Sequence, residues 1–430
     1  MNAHDLKSSG IALFLIAGAA TISSPRSFAQ AVIGQAASIM APESQALKAS
    51  GTARRNLPSL SSINSVLAGQ GPLAQWGPVA VRPNLLHRFS YGDGLLNPTQ
   101  RERQSSVINT TTAGVRLEVG KHWTVRYAAT NNEYSNQFIK DTFDHDASIS
   151  GTVVKGDWTL GATQSFQTNS PILAETGQQT GQEFYSTGVN FAYQLGSRSL
   201  VEFSVARTAR LANSDVETPQ WTSADWYSWV GSGRFRYGFS TKFEAVAGID
   251  LSYDEISRSP DMRSMQPHIQ VIWRPTERIS LSARAGSEIR EVEGDAVGDI
   301  NNPVYSASFQ YEPFDTTSIS LSASQAVSAS FFANLASKSK TYGATLSQRL
   351  LQRFYLSMGY SVGETTYIAT SLNFIDGRRD QFSSYNVRVS MPVLRRGSVA
   401  IFAQRTHNSS NTSEFDFTSD QFGLEVGYSF

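Results

Sequence analysis

The sequence predicts an all-β fold: a transmembrane antiparallel up-and-down β-barrel of about eighteen strands (16–18), with short periplasmic turns and long extracellular loops. Three observations predict it. Apolar residues recur at every second position in one segment after another from Val79 to Phe430. The connections between those segments alternate between tight turns and long polar stretches. Beyond Ala20 no run is apolar enough for a spanning helix, which needs about 20 residues. A chain of this kind can sit in lipid only as a closed sheet, because every backbone N–H and C=O must be satisfied internally.

The N-terminus reads as an export signal over residues 1–31. Lys7 gives a weak positive start and Ile11–Ala20 an apolar core of signal-peptide length. Ser27-Phe28-Ala29 and Ala29-Gln30-Ala31 offer two cleavage frames. Residues 32–78 are rich in Ala, Ser, Gln, Gly and Pro. They are expected to form a flexible periplasmic leader or a plug, with the barrel over 79–430. The whole chain has 430 residues, 36 basic against 36 acidic side chains and no cysteine. That balance gives no case for nucleic acid, and the missing thiols exclude disulfides and thiolate metal sites.

The segments run in order. Val79–Tyr91 is the weakest, interrupted by Pro83, which an edge or bulge tolerates. Val107–Val119 follows, with Val115, Leu117 and Val119 on one face and Arg116 and Glu118 on the other. Gly120-Lys-His turns into Trp123, Val125 and Tyr127. Ala147–Val153 and Trp158–Phe166 make a hairpin through Lys155-Gly-Asp157. Tyr185–Leu195 alternates most cleanly, then reverses into Val201, Phe203 and Val205. Tyr227–Tyr237 and Phe243–Tyr253 form the next pair. Ile269–Trp273 passes through Arg274–Arg278 into Ile279–Ala285, and Tyr305–Tyr311 through Glu312–Asp315 into Ile319–Ala323. Tyr342–Leu346 leads to Phe354–Tyr360, Tyr385–Met391 to Val399–Ala403, and Phe422–Phe430 closes the set. The intervening stretches, among them 130–145, 254–266, 326–340 and 363–381, read as long loops.

Two features favour lipid over a soluble core. Ser318, Ser320, Ser322 and Ser324 line one side of a single strand. Aromatics such as Trp123, Trp158, Trp273, Phe354 and Tyr428 recur near strand ends, where interfacial girdles need them. The last strand, with Phe422, Leu424, Val426, Tyr428 and Phe430 on its apolar face, resembles the insertion signal that the barrel-assembly machinery reads in bacterial outer-membrane proteins.

Val81-Arg-Pro83, the Trp273-Arg-Pro275 and Tyr311-Glu-Pro313 turns, the Ser318–Ser330 stretch and the Gly423–Phe430 ending together resemble the putative β-barrel porin 2 family over about 79–430. The resemblance implies a bacterial outer-membrane pore that passes polysaccharide or small polar solutes. Its implied partners are outer-membrane lipid, the assembly machinery and periplasmic polysaccharide-export proteins. An adhesive barrel that binds an external partner through its loops is the alternative.

No catalytic constellation, cofactor motif or metal-ligand pattern stands out, so an enzyme is not expected. The best metal candidate is Asp144-His145-Asp146 in an expected loop, where solvated side chains are the commoner outcome. The strand phase places Arg116, Arg126, Arg234, Arg236, Arg284 and Arg388 on the inner wall, together with Glu118, Glu202, Glu244, Asp250, Glu288 and Glu425. All of these except Glu202 and Glu288 are the pore-lining candidates. They form either a basic strip that guides anions or cross-strand Arg–carboxylate pairs that stiffen the wall.

Overall fold

The computed structural model describes residues 73–95, 104–173, 175, 178–212, 223–293, 300–370 and 377–430. The expected signal segment and the leader up to residue 72 lie outside them. Among the described residues, eighteen long strands close into one antiparallel barrel. They are β1 Val79–Leu95, β2 Gln104–Val119, β3 Trp123–Tyr134, β4 Thr142–Lys155, β5 Trp158–Asn169, β6 Gln182–Gln194, β7 Ser199–Ala212, β8 Trp226–Gly238 and β9 Phe243–Ile256. Then follow β10 Met262–Thr276, β11 Ile279–Val292, β12 Ile300–Phe314, β13 Thr317–Ala329, β14 Leu335–Leu350, β15 Phe354–Ala369, β16 Arg379–Val393, β17 Gly397–Ser410 and β18 Phe417–Ser429. Each pairs with the next, and β18 pairs back onto β1 from Asn84↔Ser429 to Asp93↔Asp420. Closure pairs the first strand with the last, so the seam presents no free sheet edge, which lipid would penalise.

Alternation sorts the side chains between two faces. The outer face carries Leu85 and Phe89 on β1, Phe203 and Val205 on β7, Ile249 and Leu251 on β9, and Ile401 on β17, all exposed. Phe422, Leu424, Val426, Tyr428 and Phe430 continue that row. The inner face carries the ionic and hydroxyl side chains. At the short-turn end Gly120 and Gly156 take positive φ, and so do Leu351, Gln352 and Leu394. Pro275 and Pro313 fall where the β10–β11 and β12–β13 registers shift, positions that tolerate a residue with no N–H.

The structure departs from the sequence reading in three places. Residues 73–78 are not wholly leader: Ala74–Trp76 pairs with Val79–Val81 across Gly77-Pro78. Several expected loops shorten, because alternation persists above the apolar belt and backbone pairing needs no lipid. The stretch 130–145 contracts to a connection over 135–141, and 254–266 to one over 257–261. Asp144-His145-Asp146 accordingly lies within β4. His145 faces outward and is hydrogen-bonded to the Tyr127 hydroxyl at 2.9 Å. Successive strand residues point to opposite faces, so the two aspartates cannot converge on one ion with it.

β12 and β13 also part company. Their pairing runs up to Tyr305↔Gln325 and stops, although β12 extends to Ile300 and β13 to Ala329. Above that point β13 pairs only with β14, down to Ala329↔Ala336. The tip of this hairpin is buried over residues 330–333.

Candidate functional site: lumen wall and mouth

The inner wall has two unlike arcs. From β7 to β11 it is ionic. Near the short turns, Glu244 accepts from Arg236 at 3.2 Å and from Arg274 at 2.7 Å, and Arg236 also lies 3.4 Å from Glu202. These contacts are diagonal across neighbouring strands, where long side chains reach. Higher up, Asp250 is met by Arg284 from two strands away and by Arg234 at 3.7 Å. His268, on the strand between, accepts from Arg284 at 3.1 Å. Its ring lies over Gly248 on β9, where any side chain would collide with it. Near the loop end, Arg290 binds Glu288 at 2.6 Å and Asp254 at 3.3 Å.

From β12 to β15 the wall carries hydroxyls. Ser318, Ser320, Ser322 and Ser324 stand opposite Ser347, Thr345, Gly343 and Thr341. Ser357 and Ser361 on β15 continue the same face. Ser320 and Ser322 are exposed to the interior.

Two further ionic groups flank the closure seam. Glu118 is bound by Arg116 at 2.7 Å and by Arg82 at 3.3 Å. Arg126 stands opposite Arg116 on the same face. Glu425 on β18 is bound by Arg388 at 2.6 Å and by Arg88 at 2.8 Å.

All ten pore-lining candidates lie on one face, and Arg–carboxylate pairs run through the set. The geometry is that of Arg–carboxylate pairing rather than of an unpaired basic strip. Arg82, Arg88, Arg274, Arg290 and Asp254 escaped the sequence reading. Arg274 falls in an expected turn, although β10 runs on to Thr276, and Arg88 sits in the strand with the weakest pattern.

The tip of the β13–β14 hairpin reaches across the mouth at the loop end. Phe331, at 1 % exposure, and Phe332 pack with Leu335 and Tyr367. Phe331 also lies 5.2 Å from the Arg210 guanidinium, a cation–π contact. Arg210, on β7, donates to the Ser330 carbonyl at 2.7 Å, and Ser223, just before β8, bridges to Phe332. Beneath the tip, Ile256, Met262 and Val292 on the inner faces of β9, β10 and β11 join Ala224, Ala329 and Ala333 in an apolar cluster, with Trp226 against it.

Glu175, between β5 and β6, links this tip to the far side. Its carboxylate accepts from the Ser330 hydroxyl and from the Phe331 N–H. Its carbonyl accepts from Arg378 at 2.8 Å. Arg378 leads into β16, seven strands from β5 one way round the barrel and ten from β6 the other. The chain of contacts thus crosses the opening.

Arg378 is itself held firmly. It grips both Asp380 carboxylate oxygens and lies 3.4 Å from the Phe415 ring and 4.5 Å from that of Tyr367. Burial works against its charge, but Tyr367 and the Asp380 hydrogen bonds outweigh that and hold its pKa above the ordinary value. None of the covering residues was legible as a site: Phe331-Phe332 breaks the period of two, and Glu175 lies in an expected loop.

Fold and wall together define a closed eighteen-stranded barrel, apolar outside and polar inside. Residues 280–430, nearly all of β11 and the seven strands after it, match the family model described as Putative beta-barrel porin 2. Among solved structures the chain is similar to OccAB3 of Acinetobacter baumannii, at 12% identity over 81% of this chain and 99% of that one, with a TM-score of 0.44. It is similar to a BenF-like porin from Pseudomonas fluorescens Pf-5, at 12% identity over 81% and 99%, with a TM-score of 0.46. It is also similar to OccK2 (OpdF) of Pseudomonas aeruginosa in complex with glucuronate, at 12% identity over 84% and 99%, with a TM-score of 0.44. No curated protein matches the chain.

Proposed function

We propose that this barrel is an outer-membrane pore for small polar solutes. The observation that carries the reading is a closed ring of strands with apolar side chains outside and, inside, an ionic arc beside a hydroxyl arc. Barrels of this strand number are wide enough for an aqueous channel. Serine and threonine hydroxyls can replace part of a hydrated solute's shell, while balanced ion pairs leave little net field to select by charge. The ten wall residues from Arg116 to Glu425 line the conducting path in this reading. The terminal row from Phe422 to Phe430 serves as the insertion signal for the assembly machinery. Passage of a polysaccharide would require the covered mouth to open first.

Osmotic swelling of proteoliposomes tests the proposal. Vesicles carrying the refolded chain are expected to swell fastest in the smallest sugars, with rates falling as solute size grows. Swelling no faster than that of protein-free vesicles, with the barrel folded, would contradict it.

A further inference from the structure

We infer that the β13–β14 hairpin is a gate with two seats, and that it opens by zipping the upper end of β13 onto β12. The inference rests on the pore reading above. In the closed seat, the tip lies across the mouth, held by Arg210, by the Glu175 latch and by the burial of Phe331 and Phe332.

The open seat is written in the register. β12 and β13 pair as far as Tyr305↔Gln325. Continued without insertion, that ladder sets Val304 opposite Ala326 and Asn302 opposite Ser328. Both strands are already extended there, so the hairpin needs to pivot rather than refold.

The parted edges are held meanwhile by side chains. Arg290 donates to the Val327 carbonyl at 3.4 Å, Gln325 to the Pro303 carbonyl, and Lys338 to the Asn302 side chain at 2.7 Å. Such substitutes keep buried polar groups satisfied in the closed seat. Pro303 has no N–H to give to a ladder, which weakens the zipped form just above the branch. Ladder bonds on one side and apolar burial plus the latch on the other make two seats of comparable standing, as a gate requires.

The chain has no cysteine, so each seat can be trapped cleanly. Ser223→Cys with Phe332→Cys joins residues bridged in the closed seat. Asn302→Cys with Ser328→Cys joins residues that face each other only when open. Full-length variants are refolded, checked for the heat-modifiable band shift of a folded barrel, and recorded in planar bilayers before and after reduction. The first pair is expected to cross-link and to cut conductance several-fold, reversibly. The second is expected to cross-link and hold conductance at or above that of the parent. Equal currents from the first pair with its bond formed and reduced would overturn the gate, as would failure of that pair to link. Failure of the second pair to link would overturn the zipping. A folded barrel that passes no current even with the second bond in place would remove the pore, and the gate with it.

Discussion

Arg388 on β16 reaches past β17 to grip both oxygens of Glu425 on β18, at 2.9 and 2.6 Å. Arg88 on β1 approaches the same carboxylate from the other side at 2.8 Å. β1 and β18 are the first and last strands of the barrel and pair with each other. One carboxylate, 2 % exposed, therefore ties the closure seam on both sides.

Glu425→Gln should loosen that seam. The two guanidiniums keep their charge and lose its partner, and breaking a buried pair costs roughly 3–5 kcal/mol. Both arginines are partly exposed, which puts the expected loss at about 3 kcal/mol. Denaturant titration of the refolded barrel reads it. An unchanged midpoint would mean that the pair does not hold the seam.

Gly423→Val should disturb the same seam by volume. Gly423 faces Ser90 on β1, and a Cβ there would press into the Phe89 carbonyl oxygen and the Ser90 side chain. Overpacking of this kind costs about 1–3 kcal/mol. The expected outcome is a lower yield of the heat-resistant folded band, with Gly423→Ala intermediate.

Arg234→Ala with Arg236→Ala should turn a weakly selective pore into a cation-selective one. Glu202 and Glu244 would lose a shared cation, and Asp250 one of its two. The reversal potential in a salt gradient is expected to move toward the cation limit. No movement would place these groups off the conducting path.

Leu424→Arg and Ser320→Arg should behave oppositely. Leu424 is on the outer face and exposed there. A charge at mid-depth on a lipid face costs about 2–4 kcal/mol. Ser320 faces the interior, where water is expected, and its replacement should leave stability nearly unchanged. Similar losses at both sites would mean that the faces are misassigned.

The strands were legible because one face must meet lipid, and that demand writes a period of two that survives weak spots such as Pro83. Where the demand stops, legibility stops. Thr142–Asp146 continues β4 above the apolar belt, but with Phe143 its one apolar residue it reads as loop. The ionic wall was half legible: Arg234 and Arg236 follow from the phase, whereas the diagonal partner Arg274 depends on where a bulge ends the strand. The cover over the mouth joins Glu175, Arg210, Ser330 and Arg378, residues brought together only by barrel closure. No local pattern marks such a meeting.

Single-channel recording of the refolded full-length chain in planar bilayers tests the central claim most directly. A water-filled barrel predicts discrete current steps that scale with bulk salt conductivity and fall between at least two levels. A chain that shows the folded-barrel band shift and inserts into the bilayer, yet gives no steps at any salt concentration, would contradict it.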